Sequence, residues 1–92
     1  MQRSVASGRI DILARDAQGT TVVIELKAVR AGRDAVAQIL AYMGDLMEDG
    51  TPVSGLLVAP DFDPRAVSAA RAVPGLRLVR YGFSFSFQPV GA

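Results

Sequence analysis

The chain has 92 residues, of which half are apolar, a formal net charge of +1, and neither cysteine nor histidine. This length predicts a single domain over residues 1–92, with so small a core that a monomer would be only marginally stable. The missing residue types exclude disulfides, thiolate or imidazole zinc sites, catalytic triads and histidine bases. Carboxylate chemistry remains, with hard oxygen ligands that suit magnesium or manganese.

The sequence shows no membrane or secretion signal. No apolar run approaches the length of a membrane span, and the first residues lack the apolar core of a signal peptide. We therefore expect a cytoplasmic protein without a membrane partner. The small net charge does not by itself indicate a polyanion partner, because local clusters of charge count for more than the total.

Two strands joined by a tight turn are predicted near the N-terminus. Residues 1–7 are polar and lack periodicity, so we expect a frayed start or the stub of a strand. Apolar and polar residues alternate over 8–15 and again over 20–28, which predicts two strands. Residues 16–19 read Asp-Ala-Gln-Gly, a turn sequence, so the two strands should form a hairpin.

The turn determines which residues of the hairpin face each other. Gly19 suits the left-handed position of a three-residue loop, with Asp16 and Thr20 as the flanking pair. Counting outward from that pair places Asp11 opposite Glu25. A two-residue loop would shift the register by one residue and put Asp11 on the wrong face. The register is therefore a checkable prediction.

Facing carboxylates need a compensating charge, because at Cβ separations of about 4.5 to 5.5 Å they repel by about 3 kcal/mol. Without a cation, one of them should keep its proton. One explanation is a metal ion between Asp11 and Glu25. The other is a surface ion pair with Arg9 or Arg15, which would contribute little. Lys27 favours the metal site: it lies on the face of Glu25 and is the only lysine of the chain, a compact cation that suits a metal-bound water or a phosphate oxygen.

A helix is predicted after a loop over 28–33. It begins near Asp34, which either caps it or lies in its first turn, and residues 49–52 end it. The apolar face expected to pack on the sheet comprises Val36, Ile39, Leu40, Met43 and Met47. Gln38 and Tyr42 share a neighbouring stripe of the helix. They are either a boundary pair or groups that face the same cleft as the carboxylates.

The second half continues the alternation of strands and helices. Residues 53–59 form a nearly continuous apolar run, which predicts a central strand parallel to 20–28 through the helical crossover. Asp63 is expected to cap a second helix that runs to Arg71, with Pro64 in its first turn.

The C-terminal part is predicted as strand over 76–81 and 83–87, with a bend at Gly82. The second segment carries an aromatic stripe, Phe83, Phe85 and Phe87. We expect this stripe to pack in the core, and a dimer contact is the alternative.

The motif formed by these residues resembles that of the PD-(D/E)XK nuclease superfamily. Asp11 is followed after thirteen residues by Glu25-Leu26-Lys27, and Gln38 and Tyr42 lie on the next helix. The segments 8–13, 38–44 and 76–87 are similar to the catalytic domain of NucS-type (EndoMS-like) endonucleases. The resemblance implies an α/β fold with a restriction-endonuclease-like core, in which helices flank a central mixed β-sheet and the N-terminal family helix is missing. Ile10 stands where the family name has proline.

The resemblance also implies a function, that of a metal-dependent DNA endonuclease or its catalytic fragment, which hydrolyses phosphodiester bonds with a metal-activated water. Asp11 and Glu25, together with the backbone carbonyl of Leu26, would bind Mg²⁺ or Mn²⁺. Lys27 would orient the attacking water or stabilise charge on the phosphate. Gln38 would support that arrangement.

DNA is the partner that the resemblance implies, and Arg9, Arg30, Arg33 and Tyr42 are the residues expected to contact it. The family helix and the N-terminal DNA-binding domain are missing, so apolar sheet surface should be covered by a second copy in a homodimer or by a missing domain. The alternative function is a catalytically inactive nuclease-fold module for DNA binding or dimerisation. A purely structural dimer module explains Lys27 and Gln38 least well.

Overall fold

The computed structural model describes residues 3–6, 8–47 and 50–91. The elements along the chain are β1 (Arg3–Val5), β2 (Gly8–Ile10), β3 (Ile12–Arg15), β4 (Thr21–Leu26), α1 (Arg33–Leu46), β5 (Val53–Ala59), α2 (Pro64–Arg71) and β6 (Leu76–Arg80). They form a four-stranded sheet in the order β3-β4-β5-β6 and a separate pair of β1 and β2. β3 and β4 are antiparallel, whereas β4, β5 and β6 run parallel. The predicted mixed sheet and helical crossover are therefore confirmed.

The first predicted strand differs from the prediction, because it is divided at Asp11. β2 ends before this residue and pairs with β1, while β3 begins after it and pairs with β4. The division has a physical cause: the backbone N–H of Asp11 donates to a side-chain oxygen of Glu25 and not to the ladder. β1 is the predicted stub of a strand, apart from residues 1, 2 and 7, which lie outside the described ranges.

Helix α1 begins after Gly32 and holds Asp34 in its first turn. It ends at Leu46, and part of its predicted terminating sequence, residues 49–52, lies outside the described residues. Met47 was expected on the face that packs against the sheet, but its side chain is 52% exposed. The expectation is wrong because the backbone of Met47 is already extended, which takes its side chain off the helical face.

Helix α2 begins as predicted. The side chain of Asp63 accepts a hydrogen bond of 2.8 Å from the backbone N–H of Arg65, and Pro64 lies in the first turn. Ala66 and Ala70 are the buried residues of this helix. Neither helix in the described part of the chain is long and apolar enough to cross a membrane.

Both helices cover the same face of the main sheet, as expected when two successive crossovers between parallel strands are right-handed. Val23 of β4 and Leu57 of β5 are fully buried on this face. Gly55 lets α1 approach closely, because a Cβ there would lie 2.6 Å from Met43 Sδ and 3.3 Å from Ile39 Cδ1. The hydrophobic core therefore lies between α1 and the centre of the sheet.

The opposite face of the sheet is apolar but has no helix over it among the described residues. Along β5, side chains that face the helices are buried and those on the opposite face are only half-buried. We call this second surface the open face, and it comprises Ile12, Val22, Ile24, Leu26, Leu56 and Val58. Leu26 is the most exposed of them, at 52%. The wholly apolar side of β4 is thus the uncovered one, and the side that carries Glu25 lies beneath α1.

The chain after β6 forms no strand, so the prediction of a strand over 83–87 is wrong. Core packing of the aromatic stripe is wrong as well: Phe83, Phe85 and Phe87 are 80%, 78% and 90% exposed. The physical reason is that β5 ends at Ala59, whose carbonyl accepts from Tyr81 N at 3.1 Å. The residues after Tyr81 therefore have no described strand beside them with which to pair. Residues 82–91, which we call the C-terminal tail, extend beyond the sheet and give the molecule dimensions of 66 × 29 × 24 Å.

Candidate active site

The hairpin turn closes as the sequence predicts. Asp16 N donates to Thr20 O and Gly19 N donates to Asp16 O, both at 3.0 Å, and Gly19 has a φ of +82°. The side chain of Asp16 accepts from the backbone N–H groups of Gln18 and Thr20, both at 2.9 Å. These bonds hold a three-residue loop with a left-handed glycine, which fixes the register of the strands.

The register brings the two predicted carboxylates together. Ile12 pairs with Ile24, so the next position outward places Asp11 opposite Glu25, and the predicted register is confirmed. Asp11 N donates to Glu25 Oε1 at 3.2 Å, and Leu26 N donates to Asp11 Oδ2 at 3.0 Å. Each carboxylate therefore accepts from the backbone of the other strand. Glu25 is only 3% exposed, while Asp11 is half-buried.

Burial changes the acidity of this pair. The pKa of Glu25 rises from its ordinary 4.5 to about 7, first because burial penalises its charge and then because it contacts the Asp11 carboxyl group. The positive charge of Lys27 and the backbone N–H of Asp11 act in the opposite direction. Near neutral pH, and without a cation, Glu25 is therefore partly protonated, as expected for a buried carboxyl group beside a second one.

Lys27 is held beside the carboxylates by three contacts. Its Nζ donates to Gln38 Oε1 at 3.2 Å, which joins the end of β4 to α1. Its backbone N–H donates to Val58 O at 2.8 Å, and its carbonyl accepts from the Tyr81 hydroxyl at 3.0 Å. The sequence analysis did not identify Tyr81 as part of the site. In the sequence, only its position at the end of the last strand could have indicated that Tyr81 belongs to the site, because its contact with Lys27 depends on tertiary packing.

Tyr42 lies behind the carboxylates and not at the surface. It is 3% exposed, and its hydroxyl interacts with the Gln38 side chain and the backbone of Arg9. Burial raises its pKa, and the negative charges of the two carboxylates raise it further. A Cβ on Gly8 would lie 3.0 Å from the hydroxyl, so only glycine leaves room there. The expectation that Tyr42 contacts DNA does not fit this buried position, which instead gives it a supporting role.

A groove of about 690 Å³ runs from Lys27 along the starts of α1 and α2. We call it the cationic groove after the basic residues that line it, Lys27, Arg30, Arg33 and Arg65. Of the predicted DNA contacts, Arg30 and Arg33 lie in this groove, whereas Arg9 lies exposed on β2. Arg30 also pairs with Asp61, at 3.6 Å between Nε and Oδ2. Arg65 was missed in the sequence, although its position directly after Pro64 indicates the start of a helix.

The carboxylate pair fits a divalent metal by its chemistry. The two facing carboxyl groups offer hard oxygen ligands, and a divalent cation beside them would favour the charged form of Glu25, which burial disfavours. Leu26 lies directly beside them, since its backbone N–H binds Asp11. The pair has no third acidic ligand, since no cluster of three or more metal-ligating side chains is found anywhere in the described ranges. Arg15, at the far end of β3, lines a different groove with Thr21 and Thr51.

Comparison with protein families gives one match. The family of the endonuclease NucS C-terminal domain matches residues 2–80, which include every residue of the site except Tyr81. An endonuclease NucS of Thermococcus kodakarensis is 43% identical over 60 residues, 64% of this chain and 24% of that protein. One from Kocuria rhizophila is 44% identical over 66 residues, 70% of this chain and 28% of that protein. The chain thus spans about a quarter of the length of these curated relatives.

Two solved structures have a similar fold. The crystal structure of a repair endonuclease from Pyrococcus abyssi has a TM-score of 0.78 and 32% identity, covering 86% of this chain and 35% of that one. A complex of EndoMS with double-stranded DNA has a TM-score of 0.75 and 32% identity, covering 89% of this chain and 35% of that one. In both proteins, the similar region is about a third of the whole chain.

Proposed function

Because the chain belongs to the family of the endonuclease NucS C-terminal domain, we propose that it is the catalytic unit of a metal-dependent DNA endonuclease of the PD-(D/E)XK type. In this proposal the sheet, α1 and the hairpin form a restriction-endonuclease-like core. The reaction is hydrolysis of a phosphodiester bond. The observation that carries the proposal is that the buried Glu25 faces the half-buried Asp11 beside the only lysine of the chain.

Asp11 and Glu25 are the proposed ligands of Mg²⁺ or Mn²⁺, joined by the backbone carbonyl of Leu26. When bound, such a metal lowers the pKa of water and neutralises charge that develops on the phosphate. The backbone N–H bonds to the pair support this role, because they hold both carboxylates in fixed positions before any ligand arrives. Metal binding would displace the proton that Glu25 holds near neutral pH.

Lys27 is the proposed group that stabilises the reacting phosphate or orients the attacking water. Its ammonium is close enough to Glu25 to lower the pKa of that acid, so it stands beside the proposed metal position. Gln38 is a positioning residue in this proposal, because its amide oxygen accepts from Lys27 Nζ and restricts where the ammonium points. Tyr42 supports Gln38 from the core.

DNA is the proposed substrate, and the cationic groove is the proposed path of its backbone away from the carboxylates. The EndoMS neighbour is described in complex with double-stranded DNA, and the groove is lined by Arg30, Arg33 and Arg65 together with Lys27, against two acids, Asp34 and Asp63. Phosphate contacts of this kind position a nucleic acid without reading its sequence. Arg9, exposed on β2, is a further proposed contact.

A module that binds DNA without cleaving it is the second candidate. The basic groove favours it, since phosphate binding needs only those side chains, and the chain spans about a quarter of the length of its curated relatives. The two candidates differ in one property. Cleavage requires the carboxylate pair to bind metal, whereas phosphate binding does not.

Calorimetric titration with Mg²⁺ and with Mn²⁺ separates them. We expect binding at millimolar metal and at least a tenfold loss of affinity in Asp11→Asn, because the amide removes a negative ligand while its oxygen still accepts from Leu26 N. Asp34→Asn is the matched control, since this acid is exposed in the first turn of α1. Absence of binding in the parent chain, or equal affinity in Asp11→Asn, would refute the metal-dependent proposal.

A further inference from the structure

The two peptide groups on either side of the Lys27 Cα are each held by a hydrogen bond. The N–H of the first donates to Val58 O of β5 at 2.8 Å, and the carbonyl of the second accepts from the Tyr81 hydroxyl at 3.0 Å. Because a peptide group is planar, the backbone rotates only about the two single bonds at each Cα. Holding both planes therefore restricts both rotations at Lys27, and with them the direction in which its side chain leaves the backbone.

Lys27 needs these bonds because it lies outside regular secondary structure. β4 ends at Leu26, and α1 begins only at Arg33. The ammonium itself donates to Gln38 Oε1 at 3.2 Å, but this contact is at the end of a flexible four-carbon side chain. A bond at the tip leaves several rotamers open if the backbone beneath it can turn. The two backbone bonds supply the restraint that the tip contact lacks.

Tyr81 is suited to hold a carbonyl because both its backbone and its ring make contacts. Its backbone N–H donates to Ala59 O at 3.1 Å, which continues the pairing of β6 with β5 by one residue. Its ring is half-buried and meets Phe83 edge-on, with 5.5 Å between the ring centroids. The hydroxyl thus reaches from the end of β6 to a carbonyl 54 positions earlier in the chain.

We propose that Tyr81 is a positioning residue, which directs the ammonium of Lys27 toward the carboxylate pair by holding the Lys27 carbonyl. The use of this position in cleavage rests on the proposed function. Tyr81 affects the reaction without touching the phosphate, because a shift of about 1 Å in a reacting group can cost a factor of up to about 100 in rate.

The two backbone bonds have separate roles. The Leu26 carbonyl, a proposed metal ligand, belongs to the peptide group that Val58 holds, whereas Tyr81 holds only the peptide group that follows Lys27. Loss of the Tyr81 hydroxyl should therefore disturb the lysine and leave the metal ligands in place. Tyr81→Phe makes this change alone, because the phenyl ring can keep the contact with Phe83.

NMR measures the position of Lys27 without DNA or metal. The chain contains a single lysine, so lysine labelled with ¹³C at its carbonyl and at Cε gives one signal of each kind. In Tyr81→Phe we expect the carbonyl signal to move upfield, because a carbonyl carbon is deshielded by the hydrogen bond that it accepts. We also expect the order parameter of Cε to fall, since the side chain gains freedom. Ser84→Ala is the matched control: it removes an exposed hydroxyl from the C-terminal tail and should change neither signal.

Single-turnover cleavage at saturating duplex DNA provides the second readout. We expect Tyr81→Phe to cleave about tenfold more slowly, with its affinities for Mg²⁺ and for DNA within about twofold of the parent. A merely structural role would lower the midpoint of urea unfolding and leave the cleavage rate of the folded chain unchanged. Ser84→Ala should cleave at the parent rate.

Failure of this inference differs from failure of the proposed function. An unchanged carbonyl signal or an unchanged Cε order parameter in Tyr81→Phe would overturn the inference, and so would cleavage at the rate of an active parent. A parent chain that neither binds Mg²⁺ nor cleaves DNA would refute the proposed function instead. In that case the two NMR signals still decide whether Tyr81 positions Lys27.

Discussion

Lys27 is the residue on which the proposed chemistry depends most directly. We expect Lys27→Ala to retain metal affinity within about threefold but to lose cleavage of plasmid or single-stranded DNA by at least a hundredfold, because the proposed role of the ammonium is on the phosphate and its charge is the smallest influence on the pKa of Glu25. The measurement is single-turnover cleavage alongside calorimetry. Equal cleavage by variant and parent would contradict the role of Lys27.

Gln38 provides a graded test at the same site. We expect Gln38→Ala to slow cleavage by about tenfold, since Lys27 Nζ loses the acceptor at 3.2 Å that directs it. Gln38→Glu keeps an acceptor at that position and should preserve most of the cleavage rate. A purely structural role for Gln38 would instead lower stability in both variants, which urea unfolding would detect.

Glu25 makes stability depend on pH. Its pKa is about 7 in the folded chain and near 4.5 when unfolded, so between these values the folded state holds a proton that the unfolded state has released. The free energy of unfolding should therefore fall as pH rises from about 4.5 to about 7 and level off above, by on the order of 2 kcal/mol once screening by water at the site edge is allowed for. Urea unfolding at a series of pH values measures this slope.

The control for that slope is Glu25→Gln, which cannot titrate. Its free energy of unfolding should be nearly flat between pH 4.5 and 7. Because Glu25 must lose its proton to take up Mg²⁺, the parent should also bind metal more weakly at pH 6 than at pH 8. If the free energy of unfolding of Glu25→Gln still fell steeply with pH, another titrating group would be responsible for the slope.

At the scale of elements, the packing of α1 on β5 depends on Gly55. We expect Gly55→Ala to lower the free energy of unfolding by about 1 to 2 kcal/mol, because the new Cβ would lie 2.6 Å from Met43 Sδ and force that side chain to move. Gly44→Ala is the matched control: nothing lies within 4 Å of its Cβ, and alanine favours the helix by up to about 1 kcal/mol. Destabilisation by both variants alike would argue against the close contact at Gly55.

The hairpin and helix starts were predictable from sequence because their causes are local. Gly19 and Asp16 fix the turn, and Asp63 caps α2, through bonds that span at most four residues. The division of the first strand at Asp11 was not predictable, since it arises from a bond to Glu25, fourteen positions away. The local sequence pattern therefore predicted that Asp11 and Glu25 face each other, but it did not predict that the strand is interrupted at Asp11.

For the whole molecule, binding of DNA should reflect the number of phosphates that the basic surface meets. We expect affinity to fall steeply with salt, and Arg33→Ala to reduce the slope of log affinity against log salt by about 1, because each phosphate contact releases about one counterion. Arg71→Ala, at the other end of α2, is the matched control and should leave the slope unchanged. Fluorescence anisotropy with labelled duplex measures both, and an affinity independent of salt would exclude phosphate contacts.

Tertiary arrangement accounts for what the sequence did not reveal. The alternation over 83–87 is typical of a strand, but a strand also needs a neighbour, and β5 ends at Ala59, beside Tyr81. Tyr81 and Arg65 reach the site only through tertiary packing: β6 lies beside β5, from where the Tyr81 hydroxyl reaches the carbonyl of Lys27, and α2 packs against α1. Tyr42 has the helical spacing expected of a site residue, yet its depth of burial depended on how α1 sits against β2.

The three-residue turn also restricts how the gene can change. Side chains on a strand alternate between faces, so any codon change that shifted the pairing of Asp16 with Thr20 by one residue would move one acid to the opposite side of the sheet. A longer loop preserves the acid pair only if it keeps Asp16 and Thr20 as its flanking residues. Descendants that keep both acids should therefore vary inside the loop and not in the flanking pair.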